Sequence, residues 1–406
     1  MLLLCLFVAV FFGGSLVANA QNEAQPVVSQ ATIEGARVAG DTDRTRLVFD
    51  FSGQVEPEFF VLSDPNRLII DLPGTVFTDT ATATSDVRGL AGAMRMGAFA
   101  PGQGRVVVDL SAPAAVDEVL VLAALDDQPA RLVVDLIGTD TAGFRAEIER
   151  TRSAFLASNE APKADRLDLQ SSANDRPLIV IDPGHGGIDS GAVSRSGLKE
   201  KSVVLAYAKQ LAEQLRSTGQ YDVQLTRDSD TFIPLAGRVR FAQAAQADLF
   251  VSIHADSLVR HPSLRGATVY TLSDEASDEI AQQLVENEAR SEMLAGMEVV
   301  EPATSEVADI LVELTRRETT RFSLAFADVL VAEFSTAARM VTNPHRSAGF
   351  RVLKAPEIPS ILLELGFLSN AEDARVLMDA DWRERTILAL DRAIAQFFEQ
   401  RLAFVP

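Results

Sequence analysis

Two histidines and two glutamates in the second half of the chain are of the types that bind and use a metal ion. His185 follows a short apolar run in a glycine-rich turn, and His254 ends another apolar run. Glu200 opens an amphipathic, helix-like segment, and Glu364 lies inside an otherwise apolar, strand-like run. A catalytic zinc takes three N or O ligands and leaves one position open. The pattern therefore predicts a zinc site formed by His185, Glu200 and His254, with Glu364 as the catalytic general base.

The general base is predicted from burial, since a glutamate within a buried apolar strand needs a reason to be there. Zinc lowers the pKa of a bound water to about 7, and a nearby carboxylate can pass the water's proton to a leaving amine. For either histidine alone, a hydrogen-bonded structural role is the simpler interpretation. The presence of all four residues together favours the metal interpretation.

The elements that must position these residues alternate between strand-like and helix-like patterns from Pro177 onward. This alternation predicts an open, mostly parallel twisted sheet with helices on both faces. Both histidines then lie at the carboxyl ends of strands, where such sheets build active sites. Glu200 falls in the first turn of a helix, where a carboxylate is favoured by the helix dipole, so a capping role is compatible with metal binding. Arg227 and Arg238 could hold loops or contact carboxylates of the substrate, and the structural role is the favoured interpretation.

The first half of the chain is strand-like over residues 27–140, with turn residues between the strands. A unit of arginine, apolar residues and aspartate recurs there, which predicts an internally duplicated all-β sandwich. The arginine and aspartate of each unit are expected at least to pair across strands, and no binding residue is predicted in this domain. The repeats are 45–51, 66–72, 104–110 and 130–136.

Two further segments differ from both domains in composition. Residues 141–176 are predicted as a linker that can begin with a short charged helix and ends in a polar stretch. Residues 273–321 are acidic and helix-prone, and are predicted as an insert with helices at 274–292 and 307–318 in the catalytic domain, which spans 177–406. A helix over 322–334 and a polar loop over 343–354 are predicted after the insert.

Residues 1–20 are predicted to be a secretory signal, because an apolar core precedes an Ala18-Asn19-Ala20 cleavage site. No basic residue precedes that core, which leaves open whether Met1 is the true start. Cys5, the single cysteine, lies in this segment, which excludes thiolate ligands in the mature chain. The absence of a twin-arginine pair favours the general secretory route.

Composition excludes other classes of function. A net charge of −20 argues against nucleic-acid binding, since no basic stripe is present to neutralise phosphates. No apolar run beyond the signal is long enough to span a membrane. A monomer is the default expectation.

Taken together, the motifs resemble the zinc-dependent N-acetylmuramoyl-L-alanine amidases of the amidase 3 family, and the first domain resembles the AMIN domain. The resemblance implies zinc bound by His185, Glu200 and His254, catalysis by Glu364, and cleavage of the amide between N-acetylmuramic acid and L-alanine in peptidoglycan. The motifs that carry it are 182–187, Asp189, 191–192, 200–201, 226–227, Arg238, 252–256 and 363–370.

The same resemblance implies a place in the cell and a form of regulation. It implies a periplasmic enzyme that splits septal cell wall during division, with the AMIN-like domain targeting it there. In similar amidases the insert forms a helix over the active site, and a carboxylate blocks the zinc until an activator, here a LytM-type protein, displaces it. Glu298, Glu301 and Glu306 are the candidates for that carboxylate, and the sequence does not choose among them.

Two other functions remain open from the residues alone. The first is a zinc peptidase that cuts peptide bonds in stem peptides, which needs no muramic acid in its substrate. The second is a septal binding protein with a vestigial metal site, against which the presence of all four site residues argues.

Overall fold

The computed structural model describes residues 31–77, 88–100, 102–125, 128–158, 176–297 and 310–403. The predicted signal, residues 1–20, lies outside these ranges. Within them, no helix combines the length and apolar character needed to cross a membrane.

The first domain is a two-sheet sandwich of nine strands, as the alternating pattern predicts. One sheet has the order β5-β1-β2-β9-β8 and the other β3-β4-β7-β6, and one continuous apolar core lies between them. The strands are β1 (Ala31–Gly40), β2 (Arg44–Phe51), β3 (Glu58–Leu62), β4 (Arg67–Pro73), β5 (Thr75–Val76), β6 (Ala91–Ala100), β7 (Gln103–Leu110), β8 (Ala114–Leu122) and β9 (Ala130–Gly138).

The repeated units form the central strand pair of each sheet, so the duplication in sequence is a duplication in structure. In both pairs an arginine stands opposite an aspartate at each end of the antiparallel register. The opposed pairs are Arg46 with Asp135 and Arg131 with Asp50 in one sheet, and Arg67 with Asp109 and Arg105 with Asp71 in the other. The arginine–aspartate pairs of each sheet form a ladder, and the two ladders differ in solvent exposure. The side chain of Arg46 is 52% exposed and that of Arg105 only 4%.

Helix α1 (Thr141–Ser158) occupies the first part of the predicted linker and packs on the sandwich. Phe144 is buried in the sandwich core, and the Thr151 hydroxyl accepts a hydrogen bond from the backbone N–H of Val61 at 3.1 Å. The apolar residues on one face of this helix thus attach it to the β-domain.

The second domain is built on a six-stranded sheet of order β11-β10-β12-β15-β13-β14. All neighbouring strands in it are parallel except β13 and β15, and apolar clusters cover both faces, so the predicted fold class is confirmed. Its strands are β10 (Leu178–Pro183), β11 (Asp222–Leu225), β12 (Leu249–His254), β13 (Ala267–Leu272), β14 (Met340–Ala348) and β15 (Ser360–Glu364). Its helices are α2 (Glu200–Ser217), α3 (Leu235–Ala245), α4 (Glu279–Leu294), α5 (Ile310–Ala337), α6 (Ala371–Val376) and α7 (Ala380–Ala403).

Two local predictions differ from the structure. Residues 343–354, predicted as a polar loop, contain the second half of β14, an edge strand whose polar residues reflect its partial exposure. The second helix of the insert and the helix predicted over 322–334 are one continuous helix, α5. The residues between the two predicted segments, 319–321, continue the helix without a break.

Candidate metal centre

The structure brings His185, Glu200 and His254 together at the carboxyl edge of the sheet. Their ligand atoms all lie within 4.8 Å of one another. Nε2 of His185 is 3.1 Å from one carboxylate oxygen of Glu200, and Nδ1 of His254 is 3.1 Å from the other. Nε2 of His185 is buried and has no hydrogen bond of acceptable geometry. A cation between these atoms would satisfy it, so the three residues fit a metal ion.

Glu200 is held in its charged form at the start of α2. Its two carboxylate oxygens accept hydrogen bonds from the backbone N–H groups of Ala192 and Ala255, each at 2.9 Å. Burial opposes the charge, but His185 and His254 outweigh burial and hold the pKa of the Glu200 carboxyl well below its usual range. The carboxylate is therefore available as a ligand at neutral pH.

His185 is oriented by Asp189, for which sequence analysis predicted no role. Nδ1 of His185 lies 2.7 Å from Oδ2 of Asp189, so the hydrogen bond puts the proton on Nδ1 and leaves Nε2 to face Glu200. Burial favours the neutral form of Asp189, but His185 outweighs it and keeps the pKa of the Asp189 carboxyl below its ordinary value. The signal was present in the sequence, as an aspartate four residues after the histidine in the same glycine-rich turn.

Asp189→Ala is expected to weaken metal affinity by about 10- to 100-fold, because an outer carboxylate fixes both the tautomer and the orientation of a histidine ligand. Competition with a chromophoric zinc chelator measures the affinity. Asp230→Ala is the matched control. The Asp230 carboxylate accepts a hydrogen bond from the N–H of Gly187, which lies in the same loop as His185, but Asp230 does not contact His185 itself. Equal affinities for the two variants would contradict the role assigned to Asp189.

Two glycines in the loop around His185 are required because side chains of the candidate ligands approach them closely. A Cβ atom on Gly184 would lie 2.3 Å from the ring of His254. One on Gly191, whose φ is +62°, would lie 2.6 Å from the Glu200 carboxylate. Any larger residue at either position would displace a predicted ligand.

Beneath the loop, a buried network holds the end of β10. Asp182 accepts hydrogen bonds from Thr226 at 2.6 Å, Arg238 at 2.7 Å and Ser252 at 2.8 Å. Arg238 also donates to the backbone carbonyl of His185 at 2.7 Å, and Arg227 to that of Gly184 at the same distance. Both arginines thus position the loop that carries His185, in agreement with the structural role predicted for them.

Glu364, the predicted base, is the last residue of β15 and stands opposite His254 in the parallel register. It is 2% exposed, and one carboxylate oxygen accepts a hydrogen bond from the Asp256 N–H at 3.0 Å. Burial, followed by the charges of Asp256 and Glu200, raises the pKa of Glu364 well above its usual value. Burial and Glu200 also raise the pKa of Asp256 to about 6. A carboxylate with a raised pKa accepts a proton more readily near neutral pH.

Helix α4, part of the predicted insert, lies over this cluster. Asn287 donates to the Asp256 carboxylate at 3.1 Å, and the Ser291 hydroxyl donates to Asp189. One helical face thus binds the residues around the candidate ligands. Glu288 and Glu292 line a small enclosed cavity with His185, His254, Asp182, Phe232, Ile233, Leu235, Arg238, Ser291 and Val352.

Glu288 is anchored above the cluster by backbone groups. Its two oxygens accept hydrogen bonds from the N–H groups of Arg351 at 2.7 Å and Val352 at 3.0 Å. Burial raises its pKa, although these amides and His254 favour the charged form. The sequence pattern does not single out Glu288, because the face of α4 that meets the site is set by tertiary packing. The three residues predicted as candidates for the blocking carboxylate, Glu298, Glu301 and Glu306, lie outside the described residues.

A mostly parallel sheet whose strand ends carry two histidines and a glutamate, with a second buried glutamate beside them, is typical of metal-dependent hydrolases. Comparison with known families narrows this class. The family model for N-acetylmuramoyl-L-alanine amidase (Amidase_3) matches residues 179–396, and the AMIN domain model matches residues 35–136. The chain belongs to this family of amidases, as its motifs predict.

Individual relatives agree with this assignment. The N-acetylmuramoyl-L-alanine amidase AmiC of Escherichia coli O6:H1 is 31% identical over 90% of this chain and 89% of its own length. AmiA of E. coli K12 is 39% identical over 59% of this chain and 86% of its own. Among solved structures, the catalytic domain of CwlV from Paenibacillus polymyxa is 29% identical, covering 55% of this chain and 98% of that domain with a TM-score of 0.40.

Proposed function

We propose that the protein is a periplasmic zinc amidase that cleaves the bond between N-acetylmuramic acid and L-alanine in septal peptidoglycan. His185, Glu200 and His254 would hold the zinc, and Glu364 would act as the general base. The observation that carries this proposal is the position of Glu364, buried at the end of the strand next to His254 with a raised pKa. Membership of the amidase family supplies the substrate class.

The chain's own residues then divide the reaction between them. A bound zinc ion would supply Lewis acidity, which lowers the pKa of water and polarises a carbonyl. Glu364 takes a proton from the attacking water while the oxygen of that water forms a bond to the lactyl carbonyl carbon. As the carbon–nitrogen bond breaks, Glu364 gives that proton to the alanine nitrogen. The products are a muramic acid carboxylate and a stem peptide with a free amino terminus.

The proposal includes inhibition by α4. Asn287 and Ser291 bind Asp256 and Asp189, so α4 covers the side of the cluster on which these two carboxylates lie. Glu288 and Glu292 share a cavity with both candidate histidine ligands. The Glu292 carboxylate is engaged by the Leu235 N–H and the Arg351 guanidinium. The Glu288 carboxylate interacts with the charge of His254, so we take Glu288 as the group that competes with substrate. An activator, proposed to be a LytM-type protein, would shift the population toward a form in which α4 is displaced.

The division of the chain follows the same proposal. Residues 1–20 would be removed on export, 27–140 would target the enzyme to the septum, and 141–176 would connect this domain to the catalytic domain at 177–406. The insert at 273–321 would be regulatory. The enzyme would work as a monomer on peptidoglycan, with no part in nucleic-acid binding.

Glu288→Gln is expected to raise the rate of stem-peptide release from purified sacci by about tenfold or more, since losing about 1.4 kcal/mol of anchoring shifts the closed–open equilibrium tenfold. The assay compares zinc-loaded mature chain and variant by counting newly exposed alanine amino groups. Glu286→Gln is the matched control, because Glu286 is an exposed glutamate on the same helix.

Two results would contradict parts of the proposal. Equal release by wild type, Glu288→Gln and the control would remove Glu288 from the inhibitory role. Cleavage of synthetic stem peptides that lack muramic acid would identify a peptidase instead of an amidase.

A further inference from the structure

The β-domain packs directly against the metal-binding loop and the end of α4. The backbone N–H of Ile188, three residues after His185, donates to the carbonyl of Ala98 in β6 at 3.0 Å. An apolar cluster closes around this contact, and it joins side chains of both domains. Its buried members are Ile69 and Val107 from the four-stranded sheet and Ile188, Phe232 and Ala295 from the catalytic domain.

Three arginines of the four-stranded sheet donate to successive backbone carbonyls where α4 ends. Arg67 donates to Met293, Arg95 to Leu294 at 3.2 Å, and Arg105 to Ala295 at 3.2 Å. The last carbonyls of a helix have no partner within the helix, and its C-terminus favours positive charge. The sheet therefore caps α4 with both hydrogen bonds and charge.

The capping arginines are themselves positioned by the sheet. Arg105 forms a two-pronged ion pair with Asp71 at 2.5 and 2.8 Å and stacks on the ring of Phe99. Arg95 forms an equivalent pair with Asp109 at 2.6 and 2.9 Å. Rigid guanidinium groups of this kind lose little freedom on binding a carbonyl.

The end of the helix is also shaped to this surface. Gly296 follows α4 with φ of +73°, the left-handed conformation that ends many helices. A Cβ atom there would lie 2.5 Å from the side chain of Ile69 and 3.0 Å from that of Val107. Only glycine permits both the turn and the contact.

The internal duplication shows that this surface is a specialised copy. The ladder of the five-stranded sheet has the same arginine–aspartate register, with Arg46 paired to Asp135 and Arg131 to Asp50. Those arginine side chains are 52% and 29% exposed, whereas the side chain of Arg105 is 4% exposed beneath the end of α4. Of the two ladders, the one that faces the catalytic domain binds α4.

We propose that the four-stranded sheet of the β-domain is the docking surface for the C-terminal end of α4, and that this contact sets how often α4 leaves the metal centre. Ser291 and Glu288 lie within two turns of the capped end, so fraying that begins there reaches the contacts to the site first. The inhibitory consequence rests on the proposed regulation by α4. An activator would then act by releasing the helix from the β-domain as well as from the site.

The test measures hydrogen exchange in the full-length mature protein, over peptides spanning residues 284–297. Arg95→Ala and Arg67→Ala are each expected to speed amide exchange there by roughly tenfold, the factor that corresponds to losing about 1.4 kcal/mol. Arg46→Ala is the matched control, because Arg46 holds the position of Arg67 in the other ladder and does not contact α4. It is expected to leave exchange in α4 unchanged.

Arg67 is only 3% exposed, so its variant can fail to fold, whereas the side chain of Arg95 is 22% exposed on an edge strand. Unchanged α4 exchange in a folded Arg95→Ala protein would overturn the docking role. Stem-peptide release, measured in parallel, is expected to rise with α4 exchange. Faster exchange without faster release would support docking and overturn inhibition by α4, so the two proposals fail separately.

Discussion

Glu364→Gln is expected to lower kcat for stem-peptide release by about 10²- to 10⁴-fold, the usual contribution of a general base. Glutamine has nearly the same shape and can still accept the Asp256 N–H hydrogen bond, but it cannot take a proton from water. The fold and the bound metal should be retained, because Glu364 is not among the three clustered ligand residues. Release from sacci, with zinc content measured on the same sample, separates catalysis from metal binding.

The control for this variant is Glu357→Gln, an exposed glutamate in the turn before β15. It should keep wild-type activity. If Glu364→Gln also kept full activity with one zinc per chain, Glu364 would not be the base.

The pH dependence of kcat/KM gives a second measurement of the same role. Glu364 must be ionised to accept a proton, so activity should fall as pH decreases through its raised pKa. Burial is the main cause of that shift and the charge of Asp256 is the next, so Asp256→Asn should move the acid limb to lower pH. If the acid limb of the kcat/KM profile stayed at the same pH in Asp256→Asn, a group other than Glu364 would control that limb.

His254→Ala is expected to remove the metal and to lower activity by on the order of 10³-fold or more, since without a Lewis acid water is a weak nucleophile at neutral pH. Two ligand residues would remain, and Glu200 would lose one of the imidazoles that stabilise its charge. Metal content by elemental analysis should fall from about one zinc per chain to well below it. Adding zinc should not restore the variant, whereas it should restore wild type after treatment with a chelator.

His345→Ala is the matched control for this change. It removes a histidine from the same domain that pairs with Asp328 and Thr271 and lies outside the cluster. It should keep both metal and activity. Full zinc content in His254→Ala would show that the cluster is not the metal site.

The sequence by itself determined the two domains' fold classes and the four residues of the candidate site. Both follow from local patterns. Alternation in hydrophobicity defines strands, and the ends of parallel strands must share one edge of the sheet, which brings His185 to His254 and Glu364. The repeated arginine–aspartate units likewise predicted a duplicated sandwich, because antiparallel pairing places them opposite each other.

Only the tertiary structure decided what covers the site and what the second arginine ladder binds. Glu288 is one acid among many in an acidic insert, and its importance depends on which face of α4 meets the cluster. Arg46 and Arg67 are equivalent in their repeats, yet one faces solvent and the other caps a helix more than two hundred residues away in the chain. The first contact depends on how the insert packs on its own domain, and the second depends on how two finished domains pack. Neither periodicity nor motif spacing contains this information.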